Sequence, residues 1–93
     1  MEILHLDNGA KGCFFVEEKK KRLAEMHYVW SGENMIIDYT VIRDRRNLHR
    51  GYERHLMHEA VEFAKANGIH IIPLCPEAQR VMEQMPAYQE VVF

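Results

Sequence analysis

The sequence predicts an α/β fold of the α+β kind, a mostly antiparallel mixed sheet with one main helix and one short C-terminal helix. Three observations carry that expectation. Between residues 23 and 30, the small or apolar Ala24, Met26, Tyr28 and Trp30 alternate with Glu25, His27 and Val29, the period of a strand with one buried face. After residue 51 the spacing changes to three or four, through Tyr52, Leu56, Ala60, Phe63 and Ala64, which is the period of an amphipathic helix. Residues 69–75 then form a short apolar run typical of a buried strand. Pro76 follows and suits the first position of a helix, where its missing N–H would have had no partner.

The elements follow in order. A short strand over residues 2–6 leads through the turn-like stretch 7–12 into a second strand over 12–17, whose cysteine, phenylalanines and valine suit a pleated, half-buried surface. The third strand covers residues 23–30. Ser31-Gly32-Glu33-Asn34 supplies turn chemistry, and residues 35–42 form the return strand, so the first half reads as an antiparallel meander. A basic stretch at 43–46 precedes the helix, which Met57 and Val61 join and which Asn67-Gly68 stops, these being the residues best able to adopt a left-handed C-terminal cap. Strand, helix and strand suggest a crossover connection. The second helix runs from Pro76 to before Pro86, with Val81, Met82 and Met85 on its apolar side, and the tail 88–93 is a last strand or an ordered extension.

At 93 residues and 47% hydrophobic composition, the chain has room for one small core, and no repeat, linker or low-complexity tract divides it, so one domain over residues 1–93 is expected. Twelve Lys and Arg against fourteen Asp and Glu give a net charge of -2, which removes a bulk electrostatic case for nucleic acid or an anionic membrane. An anion site must therefore be local. No apolar run approaches the roughly 20 residues that cross a bilayer. The N-terminal residues lack a basic start, a long apolar stretch and a cleavage site, and a cytoplasmic location is expected. Cys13 and Cys75 lie far apart without CxxC spacing and read as free thiols. The expected association state is a monomer or weak homodimer.

Two places could carry chemistry. The basic junction from Arg43 to Tyr52 leads into the long helix, whose first N–H groups and partial positive charge attract phosphates, and Gly51 would let a ligand approach the backbone. The bland reading of its arginines is an ordinary solvated loop. Cys75 ends a buried strand just before a helix, where thiols become reactive, although free cysteine is also among the most buried residue types. Of the six histidines, His55 and His58 have helical i, i+3 spacing but no matching ligand pair, and no zinc or metalloprotease pattern occurs, so no metal is expected. His49 is the histidine placed to touch a ligand. The aromatic residues Tyr28, Trp30, Tyr39 and Tyr52 fit core positions better than a base-stacking platform.

The element order, and more specifically Ile71-Ile72-Pro73-Leu74-Cys75-Pro76-Glu77-Ala78 followed by Tyr88-Gln89-Glu90-Val91, resembles the ending of the small single-domain branch of the Gcn-five-related N-acetyltransferase superfamily. In that branch an Ile-Ile-Pro-x-Cys-x-x-Ala stretch precedes a Tyr-x-Asp-Val-like tail. The resemblance spans nearly the whole chain and implies an acyl-CoA N-acyltransferase-like fold.

It also implies acetyl-CoA as cosubstrate and an unidentified amine as acceptor. In the superfamily a Gln/Arg-x-x-Gly-x-Gly/Ala turn places backbone N–H groups on the coenzyme A pyrophosphate. The matching positions here are Leu48, His49, Arg50, Gly51, Tyr52 and Glu53, of which only Gly51 fits the pattern. Glu53 brings a carboxylate where a glycine or alanine is usual, and Arg45, Arg46, Arg50 and Arg54 supply positive charge suited to phosphate. Ile42, at the end of the preceding strand, completes the implied cofactor site. The branch's His-Thr pair is replaced by Tyr39-Thr40, while its cysteine remains as Cys75, the implied active-site group. Asp38, Glu25 and the Cys75 thiolate stand as candidate general bases. The alternative expectation is a catalytically weak or inactive CoA-binding or protein-interaction module on the same fold.

Overall fold

The computed structural model describes residues 1–46 and 51–93. Its elements are β1 (Ile3–Asp7), β2 (Lys11–Glu18), β3 (Lys21–Ser31), β4 (Asn34–Ile42), α1 (Tyr52–Asn67), β5 (His70–Pro73), α2 (Pro76–Gln84) and a 3-10 helix (Pro86–Val91). The five strands form one sheet in the order β1-β2-β3-β4-β5. The first three pairings are antiparallel, as the meander requires, and β4 pairs β5 in parallel with α1 as the crossover. Among the described residues, no helix is long and apolar enough to cross a membrane.

Local chemistry explains the turns. The Asn8 side-chain oxygen accepts hydrogen bonds from the amides of Ala10 and Lys11, which tightens the entry to β2. The β2–β3 hairpin turns through Lys19 and Lys20, both left-handed (φ 52° and 63°), a geometry that lysine has no special preference for and that the sequence therefore does not announce. Gly68 caps α1 in the left-handed conformation, its amide bonding the Ala64 carbonyl.

Both helices pack on one face of the sheet. Phe14, Val16, Ala24, Met26, Tyr28, Met35, Ile37 and Ile71 meet Leu56, Met57, Ala60 and Val61 of α1 and Ala78, Val81 and Met82 of α2 in a single cluster. Trp30, expected on the buried face, only packs against the edge of this cluster, because its indole N–H reaches out to Asp7.

One expectation is corrected and another is narrowed. The last strand stops at Pro73 rather than Cys75, because the amides of Leu74 and Cys75 both donate to the Ile37 carbonyl (2.9 and 3.3 Å) and turn the chain into α2. Of the two alternatives for the tail, the ordered extension is the one found, and it takes helical form. Pro86 starts a 3-10 helix that buries Tyr88 and Val91, and only then does Val92 bridge in parallel to Ile71.

The β3–β4 register slips between His27, opposite Tyr39, and Tyr28, opposite Ile37, so Asp38 is the extra residue of a β-bulge. At the other side of the sheet, Gly12 lies opposite Tyr28, and a Cβ there would fall 2.2 Å from the Tyr28 hydroxyl oxygen. Tyr28 is 1% exposed, and its oxygen lies 2.5 Å from both Asp7 Oδ2 and His5 Nε2, so it has no room to withdraw. Gly12→Ala is expected to lower unfolding stability by about 2 kcal/mol through overpacking. Urea denaturation measures this, and an unchanged midpoint would mean that Tyr28 repacks freely.

Candidate functional site

The sheet opens where β5 ends. β4 pairs β5 only over Asn34 to Ile37, and beyond that point β4 continues to Ile42 while the other chain has already turned into α2. Among the described residues, no strand pairs with positions 38–42 on that side. Cys75 is the N-cap residue of α2 and sits directly against this parting, its Sγ 3.4 Å from Thr40 Oγ1. Cys75 is also 5% exposed and part of the core cluster, so the packing role expected of a buried thiol is real alongside its position at the opening.

The expected anion site is divided. Gly51 is left-handed (φ 67°) and serves as N-cap of α1, its carbonyl accepting from the amides of Arg54 and His55. The start of an α-helix carries partial positive charge and amides directed along its axis, which suits this end of α1 to an anion on general grounds. The Tyr52 side chain is in the core, with its hydroxyl donating to the buried Asp44 carboxylate at 2.5 Å, and only its backbone can face a cofactor. Arg45, Arg46 and Arg54 are exposed, Glu53 is half-buried in the first turn, and Ile42 is half-buried against the core. Leu48, His49 and Arg50 lie outside the described residues.

The opposite face of the sheet holds features that sequence reasoning missed. Cys13, His27 and Tyr39 are directly across from one another in β2, β3 and β4 and therefore share this face, as do Leu6 and Val29. Glu25 also projects here yet is only 4% exposed. Its carboxylate accepts from Arg43 Nε, from Arg22 (3.2 Å) and from His27 Nε2 (2.8 Å). Burial alone would push its pKa up, but these hydrogen bonds and the Arg43 charge outweigh that and hold it at about 2. Such a carboxylate is a poor proton acceptor, which removes Glu25 from the candidate bases. His27 in turn stacks on Tyr39, centroids 4.3 Å apart and planes within 10°.

Cys13, Glu25 and His27 bring a thiol, a carboxylate and an imidazole within 4.8 Å of one another. That trio has metal-ligand chemistry, but the two arginines on Glu25 already supply the positive charge it calls for. Burial also pushes the Cys13 thiol up to about 11, which disfavours the thiolate a metal needs. The cluster is an ion-pair anchor built on Glu25. Beside it runs a groove of about 610 Å³ crossing the sheet from β1 to the β4 bulge, lined among others by Leu6, Lys11, Cys13, Val29, Asp38 and Tyr39.

With its folded pKa depressed from an ordinary 4.5 to about 2, Glu25 contributes stability that is full above pH 4.5 and is lost as pH falls toward 2. Glu25→Gln is expected to lower stability at pH 7 and to flatten its pH dependence in that acid window. Urea midpoints measured across the window check this, and an unchanged acid limb would place the titrating group elsewhere.

Comparisons with known proteins agree with this architecture. A family model described as GCN5-related N-acetyl-transferase matches residues 13–91. No curated protein matches the sequence with significance. Among solved structures, the chain is similar to the NMR structure of a GCN5-like candidate N-acetyltransferase from Staphylococcus aureus. That likeness has a TM-score of 0.74 and 28% identity, and it covers 99% of this chain and 87% of the other. With the family match spanning most of the sequence and the mixed sheet shared with that solved structure, the chain belongs to the GCN5-related N-acetyltransferase family.

Proposed function

We propose that residues 1–93 act as a single acetyl-CoA-dependent N-acetyltransferase domain with Cys75 beside the reacting thioester. The observation that carries this reading is the edge of β4 at positions 38–42, which no strand among the described residues pairs and which faces Cys75 across the opening left by the short β5. A strand edge offers backbone N–H and C=O groups to an extended ligand, and the pantetheine arm of coenzyme A carries amides that can bond to them. The pyrophosphate would lie at the start of α1, over Gly51 and the first helical amides, with Arg45, Arg46 and Arg54 offsetting the Glu53 carboxylate. Leu48, His49, Arg50 and Ile42 complete the proposed cofactor contacts.

The chain's own contribution is positioning and proton management. The acceptor nitrogen forms a bond to the acetyl carbonyl carbon, the carbon–sulfur bond breaks, and coenzyme A leaves as its thiol. One proton is released from the ammonium form of the acceptor. Asp38, exposed on the bulge next to Ile37, is the base this arrangement favours once Glu25 is tied into its ion pairs. Cys75, in contact with Thr40, is placed to hand a proton to the departing sulfur or to carry the acetyl group transiently.

Amide NMR titration with coenzyme A is expected to give saturable shifts at positions 51–54, Thr40 and Cys75. Acetyl transfer to amines should then fall about a hundredfold in kcat on Cys75→Ala. Absence of shifts at high coenzyme A concentration would end the cofactor reading, whereas binding with an unaffected Cys75→Ala rate would leave the cysteine a packing residue.

A further inference from the structure

We infer that the groove on the uncovered face of the sheet is the acceptor site, and that it takes a small primary amine carrying one positive charge on an apolar body. This rests on the transferase reading above and adds to it a location and a substrate class.

The location follows from β4. Asp38 and Tyr39 form the groove's wall on that strand, and Asp38 directly follows Ile37, whose carbonyl receives the amides of Leu74 and Cys75. Thr40, the next residue after Tyr39, touches Cys75 on the helix-packed side. The same few residues of β4 therefore separate the groove from the opening at Cys75. An acceptor in the groove and a thioester at the opening approach one peptide segment from its two sides. At about 610 Å³, the groove has the size of a small-molecule site, which runs roughly 300–1,000 Å³.

The substrate class follows from the lining. Leu6, Cys13, Val29 and the ring of Tyr39 give an apolar floor. Leu6 is 56% exposed and Tyr39 47% exposed, large apolar surfaces that an apolar body would cover. Tyr39 is also rigid, because His27 stacks against it and Glu25, anchored by two arginines, holds His27. An ammonium near this ring gains cation–π attraction, and Asp38 supplies the matching carboxylate. Asp7 also lines the groove, but its carboxylate already accepts from Tyr28, Trp30 and the Gly9 amide. Lys11 stands on β2, two strands from β4 and so about 10 Å away at ordinary strand spacing, and its charge opposes a second cationic group there. Polyamines and basic peptides are thereby disfavoured.

The test is amide NMR titration with 2-phenylethylamine in the presence of saturating coenzyme A, followed by acetyl-transfer kinetics with 2-phenylethylamine, spermidine and a lysine-containing basic peptide. The expected result is saturable shifts at Leu6, Cys13, Val29 and Tyr39, with kcat/KM for 2-phenylethylamine at least about tenfold above the other two. Tyr39→Ala should raise KM for 2-phenylethylamine about tenfold while leaving the coenzyme A shifts unchanged. Leu6→Glu, at an exposed position, checks the floor independently, and Lys11→Glu should narrow the gap to spermidine. Intact coenzyme A shifts with amine shifts absent or elsewhere would overturn the groove as acceptor site, and a preference for spermidine or the peptide would overturn the substrate class. Loss of the coenzyme A response itself would instead strike at the transferase reading, and the acceptor site would fall with it.

Discussion

One carbonyl, that of Ile37, organises the end of the sheet where β4 and β5 part. By accepting the amides of both Leu74 and Cys75 it ends β5 after four residues, starts α2, and sets the Cys75 sulfur against Thr40. Had β5 continued alongside β4, ladder hydrogen bonds would have consumed the edge at 38–42 and closed the opening. The next residue, Asp38, is the bulge that breaks the register with β3, so β4 loses β5 and shifts against β3 within two residues. The parting of β4 and β5 thus depends on a local contest between pairing and turning.

The uncovered face solves a different problem. An antiparallel sheet can leave one face to water, yet Cys13, Phe15 and Glu25 are buried there without a helix above them. Side chains supply the cover: the Arg22 guanidinium lies 4.0 Å over the Phe15 ring, and Arg22, Arg43 and His27 converge on Glu25. Burying a carboxylate is costly unless it is paired and fully hydrogen-bonded, and here three donors meet it. The outcome is a stiff patch of polar chemistry in place of a second layer, with Tyr39 held at its rim.

Much of this was legible from residue spacing. The period-2 pattern through Ala24, Met26 and Tyr28 and the helical spacing through Tyr52, Leu56 and Ala60 report burial directly, and burial is what the core enforces. The apolar run over residues 69–75 marked the end of β5 to within two residues. The partners of Glu25 were not legible, because Arg22 and His27 are close in sequence but Arg43 comes from beyond the next strand, and nothing in spacing names it. The bulge at Asp38 was equally silent, since an extra residue in a strand leaves no compositional trace. Glu25, placed among exposed alternating positions, looked like a free carboxylate and is instead one of the most thoroughly engaged groups in the chain.

An open five-stranded sheet has two bare edges, each a template for strand addition from another molecule. On the β5 side, the Val92 bridge and the Phe93 amide bonded to the Ile71 carbonyl cover the middle of the edge, and Pro73 withholds a donor at its end. On the other side β1 is only five residues long and finishes on Asp7, whose charge resists docking of an apolar strand. The C-terminal residues are therefore more than a continuation of the 3-10 helix. They act as an edge guard, and shortening the chain there would trade a few core contacts for a sheet open to aggregation.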